Sequence, residues 1–208
     1  MSDKQHLLAN IKEILHSDSE FAELSKASKE SLEELIQEIK SYTEKIQEEQ
    51  KPVFKIMATA TAFLPNFLIS KLAQEMLTPY LVAQVTNHLS PRDAAKIGVY
   101  FEKPFLGEVA LYAEIQHVAA ITKEMPFDVA FTILDNMLKK NYHHRIAQIA
   151  DRLPIDLLVR FLAKFKDAEP VAKIMQYMEN TATIDAVFGK ESPERKALIQ
   201  EVLKGLQS

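Results

Sequence analysis

Apolar residues recur at intervals of three and four along most of the chain, which predicts helices throughout. Near the start the clearest stripe is Leu32, Leu35, Ile39, Tyr42 and Ile46. Ser31 and Glu34 have the capping-box spacing just ahead of it, so a helix is predicted to open there. The opposite face is dense in Glu, Gln and Lys, which leaves two readings. The helix lies on the rest of the chain, or it is a short coiled-coil or partner helix that pairs two copies through residues 31–47. Upstream, Ile11, Ile14 and Leu15 predict a short helix, and Ser17-Asp18-Ser19-Glu20 reads as a break with capping potential.

From residue 52 onward prolines punctuate the apolar pattern at Pro52, Pro65, Pro79, Pro91 and Pro104, and each interval holds one short helix. Thr78-Pro79, Ser90-Pro91 and Ser192-Pro193 place a hydroxyl residue at the N-cap and Pro at the first helical position, where its missing N–H costs nothing. The prolines are therefore expected to start helices. A helix of about 12 residues spans only about 18 Å and is marginal alone, so stability must come from stacking. The segment Val53 to Leu64 is apolar almost all round, with Lys55 its only charge, and is expected to be covered on several sides. The Leu32–Ile46 stripe is its expected cover, in the same chain or by dimerisation.

One unit recurs. Val82-Ala83-Gln84-Val85 with Leu89, Val118-Ala119-Ala120-Ile121 with Met125, Ile146-Ala147-Gln148-Ile149 with Leu153, and Val171-Ala172-Lys173-Ile174 with Met178 share one pattern. After the first three, Pro and Asp follow at fixed places, as in Ser90-Pro91-Arg92-Asp93, Pro126-Phe127-Asp128 and Pro154-Ile155-Asp156, and an apolar second helix comes next. Each unit reads as a helical hairpin. The small Ala common to all four lets a neighbouring helix approach closely, and the hairpins are expected to stack into an all-α, right-handed or irregular superhelix. Met125, Met137, Met175, Met178, Phe161 and Phe165 fall at core spacing and are read as packing.

The stretch Thr78-Pro79 through Val82-Ala83-Gln84-Val85, Leu89-Ser90-Pro91 and Asp93-Ala94-Ala95-Lys96-Ile97 resembles the helical repeat shared by the cytoplasmic N-terminal domain of MgtE-type magnesium transporters and the middle domain of the flagellar switch protein FliG. The resemblance covers roughly residues 77–179. It implies an armadillo-like bacterial domain used for regulation or assembly. Transport is not implied, because no membrane spans accompany the repeat.

Composition bounds the rest. The 208 residues are 47% apolar with only 4 Gly, which disfavours an all-β fold, and 0 Cys removes thiolate catalysis, disulfides and Cys-based zinc sites. Residues 1–51 carry 12 acidic and 7 basic side chains while residues 52–208 carry 17 and 18, so an acidic helical arm is separated at Pro52 from a repeat domain. The overall charge of -4 supplies no electrostatic footprint for nucleic acid. The uncharged stretch Ile56 to Ser70 is shorter than the about 20 residues of a membrane span. With no secretory segment at its start, the chain is expected to be cytoplasmic and not integral to a membrane.

Three constellations are candidates for chemistry. Lys139, Lys140, Tyr142, His143, His144 and Arg145 form the densest polar group and could present a surface to a partner or an anion. The simpler reading has the two lysines closing one helix and His143 to Arg145 opening the next from solvent. Oxygen ligands for Mg²⁺ could come from Asp128, Asp135, Asp151 and Asp156, although Asp128 and Asp156 sit at equivalent places early in their helices, where dipole interaction suffices to explain them. His117, His143 and His144 are the imidazole alternative, and adjacent helical residues diverge by about 100°. No phosphate loop, nucleophile elbow or paired His and carboxylate signature is present. No enzyme and no cofactor are expected, and the function expected is a scaffold that binds a protein partner through the repeat surface, with a regulator sensing Mg²⁺ or an anion as the alternative.

Overall fold

The structure, a computed structural model, describes residues 3–14, 24–165 and 167–207. The expected break at Ser17-Asp18-Ser19-Glu20, with Leu15, lies outside the described residues. Every regular element among the described residues is a helix, as the periodicity predicts. The chain forms two compact units, Met1–Val53 and Phe54–Ser208.

In the first unit, α1 (Asp3–Ile14) and a 3-10 turn (Leu24–Lys26) precede α2 (Lys29–Ala60). The Ser31 amide donates to the Ser28 hydroxyl at 3.1 Å, so α2 opens one turn earlier than the sequence predicts. Ile11 of α1 is buried with Leu32 and Ile36. Leu32 and Leu35, two of the five stripe residues expected to serve as a cover, are therefore spent on α1, while Tyr42 further along stays 69% exposed.

α2 corrects two expectations. Pro52 does not open an element, because the helix runs through it. The proline brings no N–H to the helix, and this is tolerated because Pro52 faces water. Nor is the segment from Val53 to Leu64 covered on several sides. Phe54 and Ala58 bury one stripe against Val85 of α4 (Pro79–Thr86), whereas Ile56 is 71% exposed and Phe63 83%. Apolar character forces no burial where geometry offers only one packing face.

The second unit continues with α3 (Asn66–Met76), α5 (Pro91–Gly98), α6 (Lys103–Tyr112), α7 (Ile115–Glu124), α8 (Phe127–Lys139) and α9 (His143–Ala150). It ends with α10 (Ile155–Ala163), α11 (Ala168–Tyr177), α12 (Thr181–Lys190) and α13 (Pro193–Gln207). Apart from Pro52, every proline lies at or within three residues of a helix start. Thr78 and Ser90 cap as predicted, accepting from the amides of Leu81 at 3.3 Å and Asp93 at 3.1 Å.

From α3 onward, most helices pack on the one two places further along. α3, α5, α7, α9, α11 and α13 make one stack; α4, α6 and α8 make the other, which α10 and α12 continue. Across the join from α8 to α10 the rings of Phe127 and Phe161 stack at 4.8 Å and those of Phe131 and Phe165 meet at 5.2 Å. Close approach needs small residues: a Cβ on Gly107 of α6 would lie 3.2 Å from Met137 Cγ of α8.

This arrangement shifts the phase of the repeat. The units beginning at Val118, Ile146 and Val171 lie on α7, α9 and α11, all in one stack. The unit beginning at Val82 lies on α4, in the other stack. The extra helix α6 explains why 36 residues separate Val82 from Val118 while 28 separate Val118 from Ile146. Burial shows the same shift. The residue after the common Ala is partly exposed at Ala120, Gln148 and Lys173, but Gln84 is only 5% exposed, and its amide nitrogen has no partner.

Helix ends are closed by neighbours three helices away. Gln74 of α3 accepts from the Glu102 amide ahead of α6 at 2.7 Å, Asn87 after α4 from Glu114 ahead of α7 at 3.0 Å, and Asp151 after α9 from Glu179 ahead of α12 at 2.9 Å. Carbonyls are closed the same way. Arg145 of α9 donates to Ala110 O at 2.8 Å and to Ala113 O at the end of α6, and Arg195 of α13 donates to Leu162 O at 2.8 Å and Phe165 O at 2.7 Å after α10.

The end of α8 closes locally. Asn141 takes φ 61°, Tyr142 N donates to Met137 O and Asn141 N to Leu138 O, which turns the chain straight into α9. This left-handed position favours Gly or Asn, so Asn141→Gly is expected to leave the urea-denaturation midpoint nearly unchanged while Asn141→Val lowers stability by about 1–2 kcal/mol. Ala147 is fully buried between helices, and Ala147→Leu is expected to cost about 1–3 kcal/mol in the same measurement. An unchanged midpoint there would mean the common Ala does not set the helix spacing.

Candidate functional site

The polar group at residues 139–145 does not converge. Lys139 pairs with Asp135 of its own helix at 2.6 Å, and Lys140 pairs with Glu108, which holds the ammonium above its ordinary pKa. Tyr142 packs against the core, and His144 meets the Tyr177 ring edge-on at 5.9 Å. Arg145, read from the sequence as opening a helix from solvent, is only 8% exposed and is spent on the carbonyls that end α6. A buried guanidinium needs such acceptors, and a chain end that offers two of them draws it inward. The sequence alone cannot show that demand, because the acceptors lie more than thirty residues away.

The four aspartates are likewise occupied separately. Asp128 faces Lys164 at 3.5 Å, Asp135 holds Lys139, Asp151 caps α12, and Asp156 pairs with Lys190, which keeps its carboxyl below the usual range. Among the described residues no group of three or more His, Asp or Glu is placed to hold a metal ion, and His117, His143 and His144 are not gathered.

What the fold does build is an apolar cavity of about 320 Å³ within the second unit, between the two stacks. It runs from Met57 at the end of α2, past α3 to α7, to Ile133 of α8. Three threonines are its only polar side chains. Thr61 donates its hydroxyl to Ala58 O at 2.7 Å and Thr122 donates to Val118 O at 2.8 Å, so two of the three already have their donors engaged. No titratable side chain lines it.

The space exists because small residues meet where large ones would close the gap. Ala60, Ala73, Ala94, Ala110, Ala113 and Ala130 face it from five places in the fold, α2, α3, α5, the end of α6 and α8. The sequence pattern marks Ala as a spacing device and Met125 as packing, and Met125 reaches this cavity. The missed signal is that small residues from both stacks coincide, which becomes visible only once the helices are paired. At the near end Leu64, Leu72 and Met76 both line the cavity and are exposed, Met76 at 75%, so the space opens to water there.

The His143 imidazole of the dispersed cluster is shifted as well. Burial pushes the His143 imidazole down, and Lys173 nearby adds to this against the weaker pull of the Asn141 backbone and Glu169. The folded chain thus resists a proton that the unfolded chain accepts below 6.5, so stability falls as pH drops through that window. The thermal midpoint is expected to decline below that pH, and His143→Gln is expected to flatten the decline.

No family model matches the chain, and neither a curated protein nor a solved structure matches it.

Proposed function

We propose that the chain is a non-catalytic binding module, an armadillo-like superhelix of stacked helical hairpins that holds a protein partner. One observation carries this reading: consecutive elements at one end of the second unit leave large apolar side chains in water. Ile56 lies in the last turns of α2, Phe63 lies on the 3-10 turn Thr61–Phe63, and Phe67, 59% exposed, and Met76 lie on α3. Exposed apolar residues gathered in this way mark interaction surfaces, since a monomer gains nothing by leaving them wet. The likeness of the repeat to the magnesium-transporter and flagellar-switch domains supports the same class of use, regulation or assembly. No helix among the described residues is long and apolar enough to cross a membrane.

Charge placed on the strip separates a binding surface from an incidental one. Phe63 and Phe67 make no demand on the core, so Phe63→Glu with Phe67→Glu is expected to leave the thermal midpoint unchanged while weakening the partner at least about thirtyfold, as loss of an aromatic anchor does. The measurement is affinity capture followed by titration of the captured protein against both forms. Equal binding to both would move the function away from this strip.

A further inference from the structure

The cavity behind the strip calls for a filler of its own. Native interiors hold few voids larger than a water molecule, and an apolar void does not hold ordered water. A volume of about 320 Å³ falls in the range of small-molecule sites, roughly 300–1,000 Å³. We propose that this cavity binds a single long aliphatic chain, the acyl tail of a one-chain amphiphile such as a fatty acid, with the polar head left in water at the mouth.

Shape selects the ligand. Neighbouring helices in a stack lie roughly 8–10 Å apart, so the path from α3 past α5 to α7 is roughly 16–20 Å long. Spread over that length, the volume gives a path about 5 Å across, which accommodates a methylene chain. Carbon–carbon bonds of about 1.5 Å advance roughly 1.3 Å each along an extended chain, so the path takes roughly 12 to 16 carbons.

Chemistry selects the same ligand. A charged or hydrogen-bonding group inside would find three threonine hydroxyls and no ionic partner, and an unpaired polar group in such a place is strongly disfavoured. The head therefore stays where Leu64, Leu72 and Met76 reach water, and the wall reads only the length of the tail.

The test titrates the full chain with saturated fatty acids of six to eighteen carbons, each below its micelle concentration, by calorimetry and native mass spectrometry. The expected result is one fatty acid per chain, with affinity rising about fourfold per added methylene up to twelve to sixteen carbons and levelling beyond. Ala130→Leu, at the inner end, is expected to shorten the preferred tail by two or more carbons, and Ala73→Phe, nearer the mouth, to abolish uptake; circular dichroism checks that each is folded. If either variant fails to fold, the length optimum of the unaltered chain together with the other variant decides. Phe63→Glu with Phe67→Glu is expected to keep full uptake, so loss of the protein partner and loss of the tail site are read separately. Absence of uptake, affinity without a length optimum, uptake unchanged in both folded cavity variants, or preference for diacyl phospholipid vesicles over free fatty acid would each overturn the proposal.

Discussion

Short helices have proportionally many ends, and the second unit is organised around satisfying them. A helix of eight to ten residues leaves four amides and four carbonyls without intrahelical partners, about as many groups as it satisfies internally. Local caps such as Thr78 and Ser90 serve some of these, but others are met from the far stack. Gln74, Asn87 and Asp151 accept amides three helices on, and Arg145 and Arg195 close carbonyls three helices back. Each such bond ties one stack to the other, so the register of the whole unit follows from where these side chains fall.

The small residues that permit this close stacking also open the cavity. Ala147 and Ala172 are fully enclosed because a neighbouring helix lies over them. Ala73, Ala94, Ala110 and Ala130 face a place where both stacks are small at once, and the gap between them stays unfilled. The same residue type thus tightens packing where it meets a large partner and leaves space where it meets another of its kind.

Sequence charge was a poor guide to chemistry here, for a physical reason. Lys139, Lys140, His143, His144 and Arg145 are adjacent along the chain, yet successive helical positions point in different directions and meet different neighbours. Lys139 remains on its own helix, Lys140 crosses to Glu108, and Arg145 turns into the interior because two carbonyls need a donor. The aspartates diverge in the same way, each drawn to its own lysine or amide. Density along the chain becomes a site only when the fold converges it.

The amino-acid sequence by itself determined the helical class, the proline-led starts and the buried alanine of each repeat, because periodicity, capping and the fixed φ of proline act within a few residues. It also marked the Asp-containing turns, though not what they bind. Only the tertiary structure decided that α2 continues through Pro52, that Val82 to Val85 belongs to the other stack, and that the segment after Pro52 stays exposed on one side. It alone decided that Arg145 is interior and that alanines from five places in the chain surround one space. Those outcomes depend on which groups meet across tens of residues, and a one-dimensional pattern carries the demand of each side chain without showing the partner that answers it.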